Sequence, residues 1–258
     1  MTPHRIATVV CALVLGGGFL GCADPQPRPP AVADQLTLEE EIALGRAAAP
    51  TLERDAGGRL DNLAVQVYVR TVGQRVARAT HLSDLPYRFM VLDTSGVSAM
   101  ALPGGMVYVT RGLVERLESE GQLASVLAGQ MAHLGAGHVR TALTRQFGLS
   151  KLRRAAAAGE VPPGAGASTE AAEAVAGALR DADWSGAECA EADRLGLDYL
   201  AAAGYNPSEM VACLLRTGAD AARVADTRDA VRQKYPDRRG RVADEEYRRE
   251  VLNRLTPP

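Results

Sequence analysis

Apolar and polar residues recur along this chain with two different periods, and the changes of period mark out its elements. Between Asn62 and Ala79, the residues Leu63, Val65, Tyr68, Val69, Val72 and Val76 fall on one stripe with the spacing of an amphipathic helix. Before it, Thr37-Leu38-Glu39-Glu40 has the form of a capping box and predicts a helix through about Ala48. The period then shortens. Residues 87–92, 97–101 and 106–110 are apolar runs of strand type, separated by turn residues at 93–96 and 103–105. Ser119-Glu120-Gly121-Gln122 is a second capping box, and it opens a long helix rich in Ala and Leu. Residues 155–183 contain the Gly- and Pro-rich run 159–168, which predicts a flexible loop followed by a weakly amphipathic helix from about Thr169. Tyr247, Val251 and Leu255 stand at helical spacing in a charged stretch, 244–255, that predicts a surface helix closing the domain. The sum is an α+β fold, mostly helical, with a small β-sheet.

Composition narrows the class. The chain has 258 residues, 47% of them hydrophobic but only 4% aromatic, so a single domain of about 220 residues must build its core from Leu, Val and Ala. Its 29 basic and 31 acidic residues leave a net charge of −2, which offers no electrostatic basis for binding nucleic acid. At the N-terminus, a short basic start and an apolar run over residues 6–21 are too short to span a bilayer and predict a signal peptide at 1–21. Phe19-Leu20-Gly21-Cys22 resembles a bacterial lipobox, which makes Cys22 the lipidation site and a lipid anchor the membrane partner; ordinary cleavage, leaving a soluble periplasmic protein, is the alternative. Ala23 after that cysteine resembles the sorting pattern for the outer membrane, on its periplasmic face. Residues 22–36 are a proline-rich tether that favours extended polyproline structure, and residues 37–258 form the folded domain.

The candidate chemistry lies in Leu123-Ala124-Ser125-Val126-Leu127-Ala128-Gly129-Gln130-Met131-Ala132-His133. Upstream stands Ser98-Ala99-Met100-Ala101-Leu102-Pro103-Gly104-Gly105-Met106-Val107-Tyr108-Val109-Thr110-Arg111-Gly112-Leu113; downstream come Glu191-Ala192-Asp193, Ala203-Gly204-Tyr205-Asn206-Pro207, Tyr235-Pro236 and Arg241-Val242. These motifs, in this order over about residues 37 to 242, resemble the HtpX and CAAX-prenyl-peptidase family of zinc metallopeptidases, of the zincin type. The resemblance implies a zincin-like metallopeptidase domain whose first long motif helix carries His-Glu-x-x-His: two imidazoles one turn apart bind zinc and the glutamate acts as general base. It implies a third ligand on the second motif helix, four residues before the aspartate of Glu-Ala-Asp.

Three of these four positions are altered. Gly129 stands at the first histidine, Gln130 at the glutamate and Cys189 at the third ligand, whereas His133 keeps its identity. An amide can hydrogen-bond water but cannot take its proton, so Gln130 removes the general base independently of the metal. Glu188 is adjacent to Cys189, but one helical step turns it by about 100°. Among the other histidines, His4 lies in the leader, His81 in a loop before the first strand, and His138 five residues after His133, a spacing that on a continuous helix separates the two rings by about 140° and points His138 away. His133 and Cys189 thus remain as a remnant metal pair, with Asp193 behind them in the second shell of the site. The plainer reading of His133 is a buried helix histidine, and of Trp184, the only tryptophan, a packing residue. Cys189 and Cys213 would share an oxidising compartment, where they are either a disulfide or two small buried residues.

Together these features describe a catalytically degenerate peptidase, a pseudopeptidase lipoprotein of the bacterial envelope that needs no cofactor. It binds polypeptides or an envelope protein partner along Val97, Ser98, Ala99, Met100 and Ala101, the strand that in the family pairs with extended substrate. The second reading is an active metalloendopeptidase with an irregular zinc site, acting in envelope protein quality control. The third makes Cys189 a thiol nucleophile with His133 as its base.

Overall fold

A computed structural model describes residues 35–159, 167–237 and 239–255. The signal peptide, Cys22, nearly all of the proline-rich tether and most of the Gly- and Pro-rich run lie outside the described residues. Among the described residues, no helix is long and apolar enough to cross a membrane.

Three strands, β1 (Arg88–Leu92), β2 (Ala99–Leu102) and β3 (Met106–Thr110), form a sheet of order β1-β3-β2, with β1 parallel and β2 antiparallel to β3. Successive side chains of a strand face opposite sides, and here both sides are buried. Phe89, Val91, Ala101, Val107 and Val109 enter one core; Leu92, Met100, Leu102 and Tyr108 enter a second. The first core is completed by α2 (Leu63–Ala77), α3 (Arg111–Arg116), α4 (Glu120–Gly135), α8 (Gly186–Ala202), α9 (Ser208–Thr217) and α10 (Ala221–Lys234). The second is covered by α1 (Leu38–Asp55), α5 (His138–Phe147), α6 (Leu149–Gly159) and α7 (Ala167–Arg180). The sheet is therefore the middle layer of an α+β fold that is mostly helical, as the pattern of the sequence implied.

Several boundaries differ from those expected. Helix α1 keeps its Thr37–Glu40 capping box but continues through Pro50 to Asp55, because Thr51 and Leu52 remain on its buried face. Strand β2 begins at Ala99 and runs to Leu102; Val97 and Ser98 precede it. The 155–159 end of the expected loop is helical, since Leu152 and Ala156 anchor α6 in the second core. The second capping box is incomplete: Ser119 accepts from the Gln122 amide, but the Gln122 side chain accepts from Glu118 N and not from Ser119. The closing helix lies at the surface as expected, with Asp244, Glu245, Arg248, Arg249, Asn253 and Arg254 exposed and its apolar stripe turned inward. Tyr247 and Val251 are fully buried, Tyr247 donates to Val114 O at 2.7 Å, and the helix relaxes into a π-helical turn at Arg248–Leu252.

The two edges of the sheet are unequal. On the outer edge of β1, the Gln66 amide accepts from Val91 N (3.0 Å) and donates to Val91 O (2.8 Å), so a side chain from α2 replaces a neighbouring strand. Leu60 N also donates to Val91 O, and Arg59 bridges to Leu92. The outer edge of β2 has no such cover. Thr110 N donates to Ser98 O, and because antiparallel pairs alternate, Ser98, Met100 and Leu102 face β3 while Ala99 and Ala101 turn their backbone N–H and C=O outward.

Helix α4 is held in place by one carboxylate. Glu120, 2% exposed, accepts hydrogen bonds from Tyr68 (2.6 Å), Tyr205 (2.7 Å), Arg75 (2.5 Å) and Arg241 (2.6 and 3.2 Å). The same segment that supplies Arg241 also caps the helix. Val242 O accepts from Gly121 N and Ala243 O from Glu120 N, satisfying amides that the start of a helix leaves open. That segment lies against 204–206 because Gly240 (φ +142°) has no Cβ; one would fall 2.3 Å from the Tyr205 carbonyl carbon. Burial pushes the Glu120 pKa up, but hydrogen bonds from Arg241, Tyr205 and Tyr68 outweigh it, and the carboxyl titrates below its ordinary 4.5.

Glu120→Ala is expected to destabilise the protein by about 3 kcal/mol, the lower end for breaking a buried ion pair because Arg75 and Arg241 reach solvent. The contribution of Glu120 is complete above its unfolded pKa and is lost as pH falls through the lower folded value. Urea midpoints of wild type and variant should therefore converge in acid.

Candidate functional site

Helices α4 and α8 pack closely because small residues line their contact. A Cβ on Gly196 would lie 3.5 Å from the backbone of Ala128 and Gly129, and Ala128 and Ala192 are buried beside it. The close approach brings the two motif segments together. Gly129 and His133, one turn apart, share a face of α4. Nothing lies within 4 Å of where a side chain on Gly129 would begin. That gap opens into a cavity of about 200 Å³ lined by Gly129, Gln130, His133, Asp193, Arg223 and by the strand approach Val97, Ser98 and Ala99.

His133 is 4% exposed and occupied on two sides. The Trp184 ring stacks on it, centroids 4.6 Å apart and planes 23° from parallel. Its Nδ1 lies 3.0 Å from Nδ1 of His138, whose Nε2 is 3.3 Å from Glu191. This corrects the expectation that His138 points away. The 140° argument assumes a continuous helix, but α4 ends at Gly135, Gly137 adopts φ +74°, and α5 starts afresh at His138. The turn folds His138 back over His133. The Gly135-Ala136-Gly137 stop was the available cue. One hydrogen is shared between the two Nδ1 atoms, and which ring donates it depends on the tautomers. Burial, followed by the charges of His138 and Arg223, depresses the His133 pKa from 6.5 to about 4.

Asp193 is 5% exposed and faces Arg223, not Cys189. Arg223 donates from Nε (2.7 Å) and Nη2 (2.8 Å) to the two carboxylate oxygens, and Thr227 lies 3.4 Å away. Sequence reasoning missed this arginine. Its one local signal is position: Arg223 follows the N-cap Asp220 by three residues, where the helix dipole disfavours a cation and a compensating partner is needed. Cys189 donates from Sγ to Trp184 O at 3.7 Å, and burial raises its thiol pKa. That is the opposite of an activated nucleophile. Glu188 completes a capping box with Ser185 and is held there. Cys189 and Cys213 are free thiols, the latter buried and pushed up to about 12. His81 stands apart from the site, 2.5 Å from the Tyr199 hydroxyl. Of the strand residues, Val97, Ser98 and Ala99 reach the cavity, whereas the side chains of Met100 and Ala101 enter the two cores.

The family model described as Peptidase family M48 matches residues 64–248. The chain belongs to this family. Among similar proteins, the beta-barrel assembly-enhancing protease of Escherichia coli K12 is 25% identical over 266 aligned positions, covering all of this chain and 54% of that protein; its Yersinia pestis counterpart is 26% identical over 220, covering 80% and 45%. The mitochondrial metalloendopeptidase OMA1 of Schizosaccharomyces pombe is 36% identical over 139 residues, covering 52% and 41%. The chain thus spans about half the length of the relatives it matches.

Membership in M48 implies zinc, and the donor set can be tested for it. Catalytic zinc takes three protein ligands. Here His133 is one candidate ligand, but Gly129 supplies none, Cys189 bonds to a backbone carbonyl and Asp193 is engaged by a guanidinium. Among the described residues, no three His, Cys, Asp or Glu side chains come together to hold an ion. The residues present do not fit the metal.

Because His133 is more easily protonated unfolded than folded, stability is expected to be constant above about pH 6.5 and to fall by roughly 2–3 kcal/mol toward pH 4. His133→Gln should flatten that part of the curve of urea midpoint against pH; an unchanged slope would contradict the assigned charge state.

Proposed function

We propose that this M48 chain is a pseudopeptidase that holds extended polypeptide without cutting it. One observation carries the reading: the only uncovered edge among the described strands, β2 with the residues leading into it, borders a cavity whose metal and base positions are filled by Gly129 and Gln130. Pairing with a strand edge uses backbone hydrogen bonds and needs no metal. Gln130 cannot serve as the base, so a bound chain would be retained intact. The names of the relatives point to precursors of β-barrel proteins as the client class, whose extended strands suit such an edge. Localisation in the bacterial envelope, with lipid attachment at Cys22, belongs to the same reading.

Ala99→Pro tests the pairing. Its N–H points away from β3, so proline there removes a donor to the ligand while leaving the ladder intact. Affinity for an unfolded outer-membrane protein should drop about tenfold or more, the loss expected for one or two backbone bonds of about 1 kcal/mol plus steric exclusion, with the melting temperature nearly unchanged. Undiminished binding by a folded variant would sink the proposal.

Metal content tests the other half. Elemental mass spectrometry of the purified mature domain should find zinc well below one ion per chain, unchanged by His133→Ala. Near-stoichiometric zinc that disappears in His133→Ala would favour the second reading, an active endopeptidase using His133 as a ligand.

A further inference from the structure

The cavity beside Gly129 is bordered by one ion pair, Asp193–Arg223, that leaves part of the guanidinium unused. Asp193 is the only carboxylate lining it among the described residues, and both of its oxygens are engaged by Arg223. A guanidinium carries five N–H donors in a planar fork. Asp193 uses the edge formed by Nε and Nη2, and Nη1 has no hydrogen-bond partner among the described residues. Arg223 side-chain atoms are 30% exposed, and the residue lines both the cavity at Gly129 and the larger groove between α8 and α10. Gln130 adds a half-buried amide whose N–H groups are not engaged by any described residue. Leu113, Val126, Met210 and Leu214 form an apolar wall.

The geometry points to a carboxylate subsite: a polypeptide paired along Val97–Ala99 places its C-terminal carboxylate on the open edge of Arg223 and Gln130, with an apolar last side chain against Met210 and Leu214. The argument rests on the polypeptide-binding reading and specifies which part of the ligand the site reads. The size agrees. About 200 Å³ accommodates one terminal residue and not a folded segment, and the vacant space beyond Gly129 is where the chain would stop. Asp193 fixes the fork through two bonds, so the guanidinium is held in one orientation before the ligand arrives, and a bidentate Arg–carboxylate contact rewards that geometry.

The test compares three short fluorescein-labelled peptides of alternating Thr and Val on the mature full chain by anisotropy. One ends in Leu with a free carboxylate, one ends in Leu amide, and one is the amide with Glu at an internal position. The free acid should bind about tenfold or more tighter than either amide, the range expected of a charge-assisted hydrogen bond. The preference should vanish in Arg223→Gln combined with Asp193→Asn, a pair chosen so that no buried carboxylate is left without its partner. Equal binding of acid and plain amide would overturn the carboxylate subsite while leaving the groove reading intact. Binding of the internal-Glu amide as tight as the free acid would overturn the assignment to chain termini. Failure of all three peptides to bind would remove the groove reading as well. The acid-to-amide ratio on the unmodified protein decides the matter even if the double variant does not fold.

Discussion

The buried carboxylate of Glu120 is the constraint from which the rest of the arrangement follows. It sits at the first position of α4, and its four partners come from α2, from the segment after α8 and from the segment before the closing helix. A charge so deeply buried is tolerated only when its hydrogen-bonding capacity is filled. The four partners must therefore be in place together, and three distant stretches of chain are tied to one helix end. The carbonyls of Val242 and Ala243 on the first amides of α4 add to the same junction.

With α4 anchored at its start, its small-residue face determines what happens farther along. Gly196, with the small side chains of Ala128 and Ala192, lets α8 approach closely, and that approach brings Asp193 to the level of the cavity. At the far end, the stop at Gly135 to Gly137 returns His138 onto His133, with Trp184 stacked on the other face of the imidazole. The frame of an M48 peptidase is thus kept by packing and capping. The cavity on that frame is lined by an amide at Gln130, open space at Gly129 and a guanidinium facing Asp193.

The unequal edges of the sheet give the remaining logic. An exposed strand edge invites pairing with another chain. On β1 the amide of Gln66 removes that possibility by reproducing the bonds of a neighbouring strand, at 2.8 and 3.0 Å. On β2 only the approach through Val97, Ser98 and Ala99 is open, and it leads directly to the cavity. The half of the strand beyond it is buried on both faces.

Much of the frame was legible in the residues themselves, because its determinants are local. The capping box at Thr37, the period-2 runs of the strands and the Gly-rich turn between β2 and β3 each act within a few residues, and the order of motifs implied the peptidase family. Gly129, Gln130 and Cys189, at positions where the resemblance implies two ligands and a base, were equally plain in the sequence. What tertiary structure alone decided was which side chains meet. The return of His138, the pairing of Asp193 with an arginine thirty residues later, the sealing of β1 by Gln66 and the burial of Tyr247 all depend on the relative placement of distant elements. Local periodicity assigns each residue to a face of its own helix or strand. The partner across that face is set by the packing of the whole chain.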